Sequence, residues 1–101
     1  WATWCAPCIA EMEYLQQLYK KTSKDVHFMF VTFEKKERVE QFLQKKPLSI
    51  PIYVANQPEG YRITTFPTTF IVKNNNIILQ ERGAAKWDSS EAIQFLNDLI
   101  Q

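Results

Sequence analysis

The run Val26-His27-Phe28-Met29-Phe30-Val31-Thr32-Phe33 constrains the fold more than any other stretch of the chain. It is nearly all apolar and rich in β-branched and aromatic residues, which suit a pleated backbone. The weak alternation of polar and apolar positions predicts a strand over 26–33 buried on both faces, as in a parallel sheet covered by helices. Helical patterns flank it. Over 7–21, Met12, Leu15 and Tyr19 recur at three and four, leaving Glu11, Lys20 and Lys21 to face water. A second helix is predicted over 36–45, with Val39, Phe42 and Leu43 inward. Pro47 and Pro51 bracket its exit, and 52–54 reads as a short strand.

The pattern then changes. A helical turn is expected at 59–63, followed by an antiparallel hairpin of 68–73 and 77–81 around Asn74-Asn75-Asn76. Asparagine tolerates the positive φ that tight turns demand. The last helix is predicted to start at Asp88 as N-cap, with Glu91 as its capping-box partner and Ile93, Leu96 and Ile100 as its apolar stripe. Strands alternating with helices imply an α/β sheet, to which the hairpin adds an antiparallel edge. The chain opens at Trp1-Ala2-Thr3-Trp4 with no strand ahead of the first helix.

A chain of 101 residues has room for one domain and one core, so residues 1–101 are read as a single domain. The net charge of +1 comes from interleaved acids and bases. Lys35-Lys36 and Lys45-Lys46 are too short to neutralise a run of phosphates, so no nucleic-acid partner is expected. Two glycines, Gly60 and Gly83, exclude a glycine-rich phosphate cradle. No apolar run approaches the length of about 18 residues that a membrane span needs. No basic segment followed by an apolar stretch marks a signal peptide, although the abrupt start leaves room for leader residues upstream.

The chemistry is concentrated in Trp4-Cys5-Ala6-Pro7-Cys8. Two cysteines this close cannot staple distant parts of a fold. With a helix beginning near Cys5, unpaired backbone N–H groups and the positive end of the helix dipole stabilise a thiolate there. Cysteines so placed have pKa values lowered to about 3.5–7.5 from roughly 8.5. Cys8 lies one turn further in, within reach of a mixed disulfide at Cys5. Pro7 suits the first turn, where its missing N–H costs nothing. Half of a zinc site is the competing reading, but four ligands are needed and His27, in the apolar run, is the remaining soft candidate. Two inert buried thiols are another. Neither a metal nor an organic cofactor is expected.

Trp1-Ala2-Thr3-Trp4-Cys5-Ala6-Pro7-Cys8, followed by Glu11, resembles the active-site segment of the thioredoxin superfamily, closest to its TlpA/ResA-like branch. A second match, Thr65-Phe66-Pro67-Thr68-Thr69-Phe70, falls where that superfamily carries a cis-proline facing the cysteines. Gly83-Ala84-Ala85-Lys86-Trp87 resembles the loop after the hairpin, where a small residue leaves room beside the active site. The resemblance implies a thioredoxin-like α/β fold, a central mixed sheet flanked by helices, here without the strand that precedes the first helix in the family. It also implies that the domain is N-terminally incomplete, and that a buried acid on the absent strand lies outside the sequence.

By the same resemblance, the activity is thiol–disulfide exchange with protein partners, working as a reductant in the periplasm or another extracytoplasmic space and resupplied by an upstream electron donor. A membrane enters only through an N-terminal anchor ahead of Trp1. Cys5 attacks and Cys8 resolves; Trp4, Ala6, Pro7, Phe66 and Pro67 form the partner surface. Trp4 is equally readable as core, Trp87 as packing under the last helix, and Glu11 as a solvated charge that tunes Cys8 only if buried. Many relatives have a proline where this chain has Glu13, so the first helix is expected to run straight with Glu13 exposed. A thioredoxin-fold binding module without turnover and a thiol-dependent peroxidase are the alternative functions.

Overall fold

The molecule is built around one long helix. The computed structural model describes residues 1–57 and 63–101, and in it α1 runs without a break over Ala6–Thr22. Its inner face carries Cys8, Met12, Leu15 and Leu18, all buried, at the spacing that keeps them on one stripe. Glu13 is exposed, as the absence of a proline there predicts. Pro7 occupies the first turn, and Lys20 and Lys21 lie in the last, where cations complement the helix dipole.

The strand after α1 differs from the expectation. β1 covers only Phe30–Thr32, and it is not buried on both faces. Met29 is 56% exposed and His27 is exposed, while Phe28 and Phe30 turn inward onto Leu15, Leu18, Trp87 and Leu96. The apolar run thus behaves as an alternating segment, with Phe28 and Phe30 covered by the core and His27 and Met29 open to solvent. α2 (Lys36–Lys45) then carries the chain across to β2 (Ile52–Val54), which pairs in parallel with β1. Such a pairing requires a crossover, and α2, buried through Val39, supplies it. The helical turn expected at 59–63 lies, apart from Ile63, outside the described residues.

β3 (Thr68–Lys73) and β4 (Asn76–Arg82) form the antiparallel hairpin. Asn74 and Asn75 take φ of 53° and 64°, which is the pair of left-handed residues that a two-residue turn of this hand needs. Ile71 and Leu79 pack onto the α1 core, and a register shift between Ile71 and Val72 bends the outer end of the ladder. The mixed α/β thioredoxin-like architecture is present, but its strands do not make one sheet: among the described residues the parallel and antiparallel pairs are two separate ladders.

α3 (Ser90–Ile100) closes the fold over the same core through Leu96 and Ile93. Its cap is a correction. Ser89, not Asp88, is the N-cap, its Oγ accepting the Ala92 N–H at 3.2 Å. The capping box with Glu91 therefore does not form. Trp87 is buried beneath α3, as packing predicts. At Gly83 the demand is backbone conformation rather than room: φ is +90°, and a Cβ there would meet nothing within 4 Å.

Candidate redox site

Cys5 is the N-cap of α1, with φ −93° and ψ 99°, and Cys8 is its third helical residue. The two are joined as a disulfide, and the Cys8 N–H donates to Cys5 Sγ at 3.3 Å. A cap residue offers its side chain to the first unpaired amides, so the sulfur sits where the helix dipole favours negative charge. Cys5 and Cys8 are 4% and 1% exposed, in a small cluster with Ala2 against which Trp1 and Phe66 pack.

The two sulfurs are not equivalent. Trp4, Cys5, Ala6, Pro7, Ile63 and Phe66 are among the residues that line an open groove of about 510 Å³, and Cys8, 1% exposed, is not one of its described lining residues. Trp4 stands on the rim, 65% exposed, its ring 5.7 Å from that of Phe66. That settles its reading as surface rather than core. The Phe66–Pro67 peptide bond is cis and Pro67 is buried, with its carbonyl accepting the Gly83 N–H at 2.8 Å. Residues 4–7 and Phe66, far apart in sequence, thus meet at one groove.

Two acids are hydrogen-bonded near the cysteine segment, Glu11 on α1 and Glu34 onto Thr3. Glu11, one turn beyond Cys8, is not a solvated charge: it is 3% exposed, and its Oε2 accepts the Ala85 N–H at 2.7 Å and the Trp87 Nε1–H at 3.1 Å. Burial pushes its carboxyl above the ordinary range, and the two donors hold back part of that rise. Its partners come from the loop before α3, 74 and 76 residues away, so no local pattern announces them. Glu34, which sequence reasoning did not single out, accepts from Thr3 N–H at 2.7 Å, Thr3 Oγ1 at 2.6 Å and Thr32 Oγ1 at 3.0 Å, and pairs with Arg38 at 3.4 Å. Partial burial alone would raise its carboxyl; the bonds from Thr3 and Thr32 with the Arg38 charge outweigh that and bring it below the ordinary range.

His27 is exposed, ahead of β1, and takes no part in the groove. Among the described residues, no group of three or more His, Cys, Asp or Glu is placed to hold a metal ion. No helix among them is long and apolar enough to cross a membrane.

The Redoxin family model matches residues 1–96, nearly the whole chain. The chain belongs to the Redoxin family. Within it, this Redoxin chain is 37% identical to the thiol-disulfide oxidoreductase ResA of Oceanobacillus iheyensis, over 98% of the chain and 54% of that relative. It is 35% identical to the protein of the same name from Geobacillus kaustophilus, over 79% of the chain and 49% of the relative. It is 30% identical to the thioredoxin-like protein YneN of Bacillus subtilis, over 77% and 49%. These relatives make it a ResA-like member of the thioredoxin superfamily. The chain spans about half the length of the curated relatives it matches. No solved structure matches it significantly.

Proposed function

We propose that the protein is a thiol–disulfide oxidoreductase that reduces disulfides in protein partners through Cys5 and Cys8. One observation carries the assignment of roles: Cys5 lines the open groove and caps α1, whereas Cys8 is not among the groove's described lining residues. The groove-facing sulfur is the one a partner can reach, and the helix start favours its thiolate.

In the reduced protein, Cys5 thiolate attacks one sulfur of the partner disulfide. A bond forms between Cys5 Sγ and that sulfur, the partner's S–S bond breaks, and its second sulfur leaves as a thiolate and takes up a proton. Cys8, deprotonated, then attacks Cys5 Sγ; the mixed disulfide breaks, the Cys5–Cys8 bond forms, and the partner departs with two thiols. Two electrons pass to the partner, so a second dithiol protein upstream must return them. Trp4, Ala6, Pro7 and Phe66 form the contact surface, with buried Pro67 setting the direction of the Phe66 backbone. The extracytoplasmic setting follows the resemblance to the TlpA/ResA branch, and no resident cofactor or metal is required. Residues 1–101 are taken as one domain, since α1 contributes both to the core under α3 and to the cysteine cluster.

The test is a titration of the Cys5–Cys8 pair in glutathione buffers, read by alkylation and mass. A potential near that of thioredoxin, about −270 mV, supports a reductant, and one near −120 mV recasts the protein as an oxidant. If the pair does not form a disulfide at any poise, the assignment fails. Cys8→Ser should accumulate a partner-linked species through Cys5, while Cys5→Ser should accumulate none.

A further inference from the structure

The turn that leads into Cys5 is tied down by residues that do not line the groove. Thr3 lies two residues before Cys5, inside a turn closed by the Cys5 N–H donating to the Ala2 carbonyl at 3.1 Å. Both hydrogen-bond donors of Thr3 end on one carboxylate: its N–H on Glu34 Oε1, its hydroxyl on Oε2. Glu34 is itself fixed. Its side chain is 13% exposed, Oε1 also takes the hydroxyl of fully buried Thr32 at the end of β1, and Oε2 meets the Arg38 Nε from the first turn of α2. Arg38 Nε lies 3.3 Å from Thr3 Oγ1 as well, closing the network. A bidentate, charge-assisted attachment of this kind fixes direction as well as distance.

We propose that Glu34 is a positioning residue for exchange at Cys5, holding the Ala2–Cys5 turn through Thr3 so that the Cys5 sulfur stays on the α1 cap. This rests on the redox reading of the site. The cap geometry depends on the extended backbone of Cys5, which differs sharply from the helical residues that follow it. The preceding turn sets that backbone, and Glu34 sets the turn. Released from Glu34, Cys5 can leave the cap, and its thiolate loses the amides and dipole that stabilise it. The prediction has a sign opposite to that of simple charge removal, because deleting a nearby carboxylate would by itself favour the thiolate.

The experiment follows the pH profile of Cys5 alkylation by iodoacetamide in the reduced full chain, for wild type, Glu34→Ala, Thr3→Val and Thr3→Ser. Glu34→Ala is expected to move the profile to higher pH, slowing alkylation at neutral pH about tenfold for each unit moved, since the thiolate fraction falls by that factor. Thr3→Val should move it the same way, Thr3→Ser should keep the wild-type profile, and the Thr3→Val/Glu34→Ala double variant should add little to the larger single effect. If Glu34→Ala does not fold, the two Thr3 variants decide alone. A profile unmoved in the variants, or moved to lower pH, overturns the inference. A wild-type thiol that titrates in the ordinary cysteine range, or variants that match wild type, removes the role of Glu34 alone; the redox reading falls only if the Cys5–Cys8 pair forms no disulfide at any glutathione poise.

Discussion

At the residue scale, the carboxyls of Glu11 and Glu34 are shifted in opposite directions from their ordinary value. Burial raises the Glu11 carboxyl, so the folded state keeps its proton longer than the unfolded chain does. Stability then falls as pH climbs from the unfolded value through the raised folded one, and levels off above it. Glu34 is lowered by its hydrogen bonds, so its contribution is present above the unfolded value and is lost as pH falls through the lowered folded one. The two windows lie on opposite sides of the same ordinary value. Glu11→Gln keeps an acceptor for the Ala85 and Trp87 N–H groups but removes the charge. We expect it to flatten the upper window and leave the lower one intact, measured as urea midpoints across acid to neutral pH. An unchanged slope in the upper window would mean that the unfolded chain perturbs Glu11 equally.

At the scale of elements, the features legible in the sequence were those written in neighbouring residues. α2 over Lys36–Lys45 and the strand Ile52–Val54 are local statements that the structure places as read, and the hairpin turn expected over Asn74-Asn75-Asn76 forms from Asn74 and Asn75, with Asn76 already in β4. Failures came where a distant partner decided the outcome. Glu11 looks like a surface charge until the loop at Ala85 and Trp87 folds onto it, and Glu34 has its decisive contact with Thr3, 31 residues away. The run 26–33 gave no sign of which face would be covered, because that depends on how α1 and α3 lie over it. At α3 the choice between Asp88 and Ser89 turned on one residue of register, where patterns are weakest. The consequence is measurable. Ser89→Ala should cost about 1 kcal/mol, as loss of an N-cap does, while Asp88→Asn should cost less than that or stabilise, its buried Oδ1 having no hydrogen-bond partner among the described residues. Chemical denaturation of the two variants reads the difference directly.

Across the whole molecule, α1 joins two neighbourhoods with different duties. Leu15 and Leu18 belong to the core closed by Trp87 and Leu96, whereas Cys8 belongs to the cluster with Ala2 and Cys5. Stability and exchange should therefore respond to different substitutions. Leu18→Ala, opening a cavity in the core, is expected to cost about 2–5 kcal/mol while the reduction potential of the folded protein is retained. Trp4→Ala, on the rim, should leave stability within about 1 kcal/mol of wild type and slow exchange with a protein disulfide, not with a small one. Equal losses toward both substrates would show that Trp4 shapes the sulfur rather than receives the partner.

The uneven exposure of the three tryptophans has a practical outcome. Trp87 lies in the core, Trp1 is half-buried with its ring 5.7 Å from Phe42, and Trp4 alone projects into solvent beside the disulfide. The molecule carries an optical window on its proposed reaction: a water-borne quencher such as iodide reaches the Trp4 indole most freely, and on the proposed function that indole is the one a docking partner would cover. Shielding from iodide can thus be followed in real time, without a dye, as a count of how much of the protein is engaged.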